Sequence, residues 1–127
     1  MAGKIIADTL EHSTAGSIAT NYDVKATAKT FVVYKSVTST AIYNSQSLNV
    51  SSLTDNGTGS TDVNLSNAHS VSTYATSDSA GDGNTGFSTW NLHPQMTSSV
   101  YRVATGNQSF AYTDTNYHSI QTFGDLA

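Results

Sequence analysis

Leu48-Asn49-Val50 and Leu53 lead into a turn, Thr54-Asp55-Asn56-Gly57-Thr58-Gly59, and Val63-Asn64-Leu65 leads out of it. Apolar and polar residues alternate on both sides, which is the period of a half-buried strand. The Asn-Gly pair supplies the positive backbone angles of a tight hairpin at low steric cost. One antiparallel hairpin is therefore written into the middle of the chain, and the flanking sequence must supply strands for it to pair with.

Composition agrees. Serine and threonine occur 19 times each and asparagine ten times in 127 residues, while charged residues are 11% and Glu11 is the lone glutamate. Helical bundles and coiled coils draw on Glu, Lys, Leu and Arg, in which this chain is poor. Seven Tyr, four Phe and one Trp supply apolar bulk that a disordered tail lacks. Runs with strand character are Thr30–Lys35, Ala41–Tyr43, Val71–Ala75, Gly86–Leu92, Val100–Ala104, Ser109–Thr113 and Tyr117–Phe123. Ser79-Ala80-Gly81-Asp82-Gly83-Asn84 and Thr105-Gly106-Asn107 read as loops, and Pro94 ends a strand or lies on an edge. Short strands about a dozen residues apart predict an all-β domain, an antiparallel β-sandwich or jelly-roll-like fold, over residues 25–127.

Residues 1–24 have a different texture. Ile5, Ile6 and Leu10 fall at helical spacing before Ser13-Thr14-Ala15-Gly16, so a short helix and an extended arm are both open. All four lysines lie within the first 35 residues, whereas from Ser36 onward six aspartates face Arg102 alone. The arm is therefore expected to make a contact unlike that of the domain, through Ile5, Ile6 and Leu10. The domain's alternating positions often hold Ser, Thr or Ala where a self-sufficient sandwich holds Val, Ile or Leu. Such a thin core leaves a single copy marginal against its chain entropy, and several copies are expected to share an interface.

Several functions are disfavoured by the same reading. With five basic residues and net charge −4 the chain has no counterion-releasing surface for nucleic acid. No apolar run approaches the roughly 18 residues needed to span a bilayer, and Asp8 interrupts the N-terminal apolar run well short of a signal-peptide core. Synthesis in a cytoplasm without cleavage is expected. There is no cysteine, hence no disulfide or thiolate metal site. His12, His69, His93 and His118 have no metal-ligand spacing, although three-fold symmetry would bring one from each copy together on an axis. No serine sits in a nucleophile elbow. Asp78-Ser-Ala-Gly-Asp82-Gly-Asn84 is oxygen-rich but lacks the spacing and the distant Glu of a calcium loop. No enzyme activity and no cofactor are expected. Trp90, Tyr74, Tyr101, Tyr112 and Tyr117 offer faces on which a sugar stacks, although aromatics in a sandwich are more often core or cross-strand partners. Trp90 and His93, with the nearby loop residues Asp78, Asp82 and Asn84, form the candidate receptor-facing set.

Three stretches carry a resemblance. Ala28-Lys29-Thr30-Phe31-Val32-Val33-Tyr34, Ser47-Leu48-Asn49-Val50-Ser51-Ser52-Leu53-Thr54-Asp55-Asn56-Gly57-Thr58-Gly59 and Tyr117-His118-Ser119-Ile120-Gln121-Thr122-Phe123-Gly124-Asp125 stand in the order of a module that they resemble. That module is common in tail-fibre-like virion proteins of marine bacteriophages, of the cyanophage type. Ser60-Thr61-Asp62-Val63-Asn64-Leu65 departs from the family's segment after the turn, and the stretch from Ala68 to Asn107 has no counterpart. The resemblance implies a non-enzymatic virion protein made in the host bacterial cytoplasm and taking part in adsorption to the host surface. It implies a homotrimer whose partners are other tail or capsid proteins and a host surface glycan, with no nucleic acid and no membrane insertion. A capsid decoration protein and a free carbohydrate-binding module are the alternatives.

Overall fold

The computed structural model describes residues 9–12, 16–19, 27–37, 39–81, 88–91 and 95–127. Among these described residues there are ten strands: β1 (Thr9–His12), β2 (Gly16–Ala19), β3 (Thr30–Lys35), β4 (Ala41–Leu48), β5 (Val50–Asp55), β6 (Ser60–Leu65), β7 (Ala75–Gly81), β8 (Ser88–Asn91), β9 (Val100–Gly106) and β10 (Tyr117–Phe123). Eight of them form two four-stranded antiparallel sheets, in the orders β4-β3-β10-β7 and β5-β6-β9-β8. The expected all-β sandwich is what forms. No helix among the described residues is long and apolar enough to cross a membrane.

The sheets meet through alternate positions of their central strands. Thr30, Val32 and Tyr34 of β3 and His118, Ile120 and Thr122 of β10 face inward from the first sheet. Val63, Leu65, Tyr101 and Val103 face them from the second, with Tyr74 and Met96 added to the same cluster. The core is as thin in aliphatics as the sequence suggests. Threonines 30, 61, 105, 115 and 122 are buried where larger apolar side chains would otherwise stand.

The hairpin of β5 and β6 forms as expected, with Asp55 opposite Thr61. Its positive φ values fall on Gly57 (105°) and Gly59 (66°), so the turn is the four residues 56–59 rather than a two-residue Asn-Gly turn. The Asp55 carboxylate accepts the Gly57 amide at 2.8 Å, and the Asn56 amide donates to the Ser60 carbonyl at 2.9 Å. Upstream, Asn49 is the corner where the chain leaves the first sheet for the second. It takes a left-handed φ of 58°, which asparagine tolerates better than most residues. Its side-chain amide donates to the Asn67 carbonyl at 3.0 Å and accepts the Asn67 amide at 2.7 Å, which ties that corner to the return crossover.

Two expectations are corrected, and one open choice is decided. Of the short helix and the extended arm left open for the N-terminal stretch, Leu10 takes the extended form: β1 and β2 pair as a separate antiparallel ribbon with Leu10 opposite Ile18. The strand expected at Val71–Ala75 instead begins at Ala75 and runs to Gly81, through residues read as loop. Small residues on both faces of β7 hide its alternation. Ser109–Thr113 is a turn bridged only through Tyr112, because the Asn107 side chain accepts the amides of Ser109 and Ala111 at 2.9 and 3.1 Å.

Candidate functional site

Titratable side chains converge inside the sandwich. His118 on β10 is fully buried, and its Nδ1 lies 2.8 Å from the Tyr34 hydroxyl on β3. The two rings stack with centroids 5.0 Å apart. Asp78 projects inward from β7, and its Oδ2 accepts the Tyr101 hydroxyl at 2.9 Å while Oδ1 accepts the Thr89 hydroxyl at 3.2 Å. The same Oδ2 is 4.0 Å from His118 Nε2, which has no hydrogen-bond partner of its own. A carboxylate facing Nε2 favours the tautomer with its proton there, so Tyr34 donates to Nδ1.

Burial sets the protonation states. Loss of hydration pushes His118 down to about 4, and the nearby Asp78 carboxylate only partly opposes it. Desolvation likewise raises Tyr34 and Tyr101 well above the ordinary phenol range, with the Asp78 charge adding to the effect. At neutral pH the cluster therefore holds a neutral imidazole and two neutral phenols. It brings an aspartate, a histidine and a hydroxyl together, but His118 Nε2 makes no hydrogen bond to Asp78 and the rings of Tyr34, His118 and Tyr101 are all sealed from solvent. What this geometry performs is register selection: slipping β7 or β10 by one residue would turn Asp78 or His118 outward and leave its partners buried unpaired.

A second histidine has an equivalent post near the other end of β10. His69 Nε2 pairs with the Thr122 hydroxyl at 2.8 Å, and its ring stacks on Tyr74 at 4.0 Å. Burial lowers its pKa, opposed by the Asp125 backbone. Tyr74 is pushed up to about 12 by burial and donates to the Val100 carbonyl at 3.1 Å.

The exposed features lie elsewhere. At the end of the sandwich where β9 passes to β10, Phe110 is 72% exposed with a left-handed φ of 59°. Its loop is fastened by the two bonds to the Asn107 side chain, by the Thr113 amide to the Thr105 carbonyl at 3.0 Å, and by the Thr105 hydroxyl to the Thr113 carbonyl at 2.6 Å. Gly59 packs under it and donates its amide to the Asp114 carboxylate at 2.7 Å. At the opposite end, where β10 finishes and β7 begins, an open groove of about 420 Å³ runs between Val71, Tyr74, Ala75, Phe123 and Asp125. On the outer face of the first sheet, Phe31 and Leu48 are register partners and Tyr43 meets Tyr117 edge-on at 5.4 Å. Asn44 and Ser45, in the irregularity of β4 beside them, both have positive φ.

No protein-family model, curated protein or solved structure matches the chain. The site must therefore be judged on its own geometry.

Asp78, read as a receptor-facing loop residue, stands instead on a strand with its carboxylate turned to the interior. Asp82, Asn84 and His93 lie outside the described residues, as do Ile5 and Ile6. Trp90 is on β8, opposite Ala104. Of the tyrosines offered for stacking, Tyr74 and Tyr101 are buried, whereas Tyr112 and Tyr117 are more than half exposed. His69 and His118 are buried in the core. Among the described residues no three His, Asp or Glu side chains come together in a way that would hold a metal ion. Two features escaped the sequence reading. A signal for His118 was present, since the alternation of Tyr117–Phe123 puts it on the face of Ile120, whereas the exposed left-handed Phe110 is set by the side-chain clasps of its loop, which its own residue type does not announce.

Proposed function

We propose that the chain is a non-enzymatic structural module of a virion, tail-fibre-like, that takes part in adsorption to the host surface. The observation that carries this reading is the division of the chain into a sandwich and a separate ribbon. β1 and β2 pair with each other and, among the described strands, with no other. An isolated two-stranded ribbon is marginal in water and gains stability by packing against a partner. Residues 1–24 accordingly form the attachment arm, docking on another virion protein or on neighbouring copies in a homotrimer, and residues 25–127 form the projecting domain. The sandwich suits that position because its outer surface is dominated by neutral Ser, Thr, Asn and Gln, which lose little when salt changes. Its hydrogen-bonding side chains and exposed Tyr117 and Tyr112 match the hydroxyls and apolar faces of a host glycan.

Particle incorporation tests the arm. A chain lacking residues 2–22 is expected to keep its β circular dichroism and to vanish from purified particles. Unchanged incorporation would refute the attachment role. Labelling the protein on intact particles separates the two virion positions: signal at the tail supports the fibre reading, and signal over the capsid replaces it with a decoration role.

A further inference from the structure

We propose that Asn56, in the turn between β5 and β6, is a self-modification site at which the chain converts asparagine to aspartate and isoaspartate through its own Gly57 nitrogen, and that Asp55 holds this reaction in check. The chemistry is independent of the adsorption reading and uses no group of the buried cluster.

The backbone does not require asparagine here. The turn takes its positive φ at Gly57 (105°) and Gly59 (66°), and Asn56 is not among the described non-glycine residues with positive φ. The side chain is not engaged either. Asn49, Asn64, Asn67 and Asn107 each commit their carboxamide to a hydrogen bond. Among the described residues Asn56 makes only the bond from its backbone amide to the Ser60 carbonyl, at 2.9 Å. Its carboxamide is therefore exposed and free to turn. The next residue completes the site. A β-carbon at Gly57 would meet open space, and none is present, so nothing shields the Gly57 nitrogen from the carboxamide or from solvent base. Asn44 is also exposed, but Ser45 follows it rather than glycine.

The reaction balances with water alone. Solvent hydroxide takes the Gly57 amide proton, and the nitrogen attacks the Asn56 Cγ. A bond forms between them, the Cγ–Nδ2 bond breaks, and the nitrogen leaves as ammonia after taking a proton from water. The product is a five-membered succinimide. Water then opens the ring: cleavage of the new bond leaves aspartate, and cleavage of the main-chain bond leaves isoaspartate, with one extra atom in the backbone. Nothing is oxidised or reduced.

Asp55 opposes the first event. Its carboxylate accepts the Gly57 amide at 2.8 Å. That bond favours the protonated nitrogen, and the negative charge disfavours the amide anion that must attack. The Ser60 amide, 2.9 Å from the Gly57 carbonyl, holds the glycine from its other side. The isoaspartate product bears on the fold because the chain just beyond it has no slack. The Gly59 carbonyl accepts the Thr105 amide at 2.8 Å, and its amide donates to the Asp114 carboxylate at 2.7 Å. An extra backbone atom three residues upstream displaces that contact.

Incubating the full chain in mildly alkaline buffer tests the proposal, with peptide-mapping mass spectrometry and isoaspartyl methyl transfer as the two readouts. Asn56 is expected to react at least tenfold faster than Asn44, Asn49, Asn64, Asn67 or Asn107, and to yield isoaspartate as well as aspartate. The same chain unfolded in guanidinium chloride is expected to react faster at this position than the folded chain. Asp55→Ser removes the charge and keeps a short hydroxyl acceptor for the turn, so it should raise the folded rate at least threefold. Asp55→Asn is a second uncharged variant, and denaturant midpoints identify any variant that has lost its fold. Asn56→Gln, which cannot close a five-membered ring, should form no isoaspartate there. Slow or absent reaction at Asn56 relative to the other asparagines would overturn the site. A folded rate equal to the unfolded one, or unchanged in the folded Asp55 variants, would overturn the restraint.

Discussion

Acidification should loosen this sandwich well above the pH at which its carboxylates titrate. His118 is held down to about 4 in the folded state by burial, against an ordinary value of 6.5 when the chain is unfolded. The unfolded chain therefore binds the proton more readily between those two values. Stability from keeping this imidazole neutral is fully present above pH 6.5, declines as pH falls, and is lost below about 4. The full interval corresponds to about 3 kcal/mol at 1.36 kcal/mol per pH unit, and about 2 kcal/mol of it is gone by pH 5. His69, also lowered by burial, adds in the same direction. Against a total stability of roughly 5–15 kcal/mol this is a large fraction. Urea unfolding followed by circular dichroism at pH 7.5, 6 and 5 reads the effect directly. With a slope of about 1–3 kcal/mol/M, the midpoint should fall by about 1 M over that range. His118→Gln keeps a polar group facing Tyr34 and cannot titrate, so its midpoint should start lower at pH 7.5 and change far less with pH. Equal pH dependence in both proteins would refute the assignment of the slope to His118.

Three further outcomes follow from the backbone and its clasps. A β-carbon at Gly59 would lie 2.5 Å from the Thr105 carbonyl oxygen and 2.6 Å from the Thr113 amide nitrogen, whereas at Gly57 it meets open space. Gly59→Ala should therefore cost more than about 2 kcal/mol and Gly57→Ala about 1 kcal/mol, measured as the difference in urea unfolding free energy. Asn49→Ala removes the clasp on Asn67 and places a poor residue at a left-handed φ, for a loss of about 2 kcal/mol; Asn49→Gly should recover part of that by removing the strain alone. Arg102 grips Asp62 with two nitrogens across the β6–β9 pair and reaches Gln95 at 2.8 Å from its third. Arg102→Met should lower the thermal midpoint by only a few degrees, consistent with about 1 kcal/mol for a partly exposed pair, and the gap should narrow in high salt.

What the sequence made legible follows a physical line. Strands whose two faces differ in size and polarity were readable: Thr30–Lys35, Val63–Leu65 and Tyr117–Phe123 alternate visibly, and each lies where the alternation puts it. β7 was not, because Ala75, Ser77 and Ser79 on one face and Thr76, Asp78 and Ala80 on the other are all small, so no period stands out. The same uniformity hid the cluster. Asp78 looks like a turn former until β10 and β9 are laid beside it, and the pairing of Ile120 with Asp78 that does so spans 42 positions of sequence. Phe110 was hidden for a different reason. Its conformation is imposed by Asn107, Thr105 and Gly59, whose side chains and backbone act across the turn, while its own residue type argues against a left-handed φ.

The chemistry of the core also bears on how the chain is used. Val32, Val63, Leu65, Val103 and Ile120 are its only buried large aliphatics among the described residues, and most of the remaining interior is tyrosine, threonine and histidine, with one methionine. Such an interior gains little per residue from water exclusion but much from direction, because its hydroxyls and imidazoles meet their partners in one register only. The consequence is a fold that is specific in register and modest in margin. A protein with that balance gains disproportionately from any apolar contact made outside the single copy. Phe31 and Leu48, exposed register partners on the outer face of the first sheet, stand where a contact of that kind would add the most.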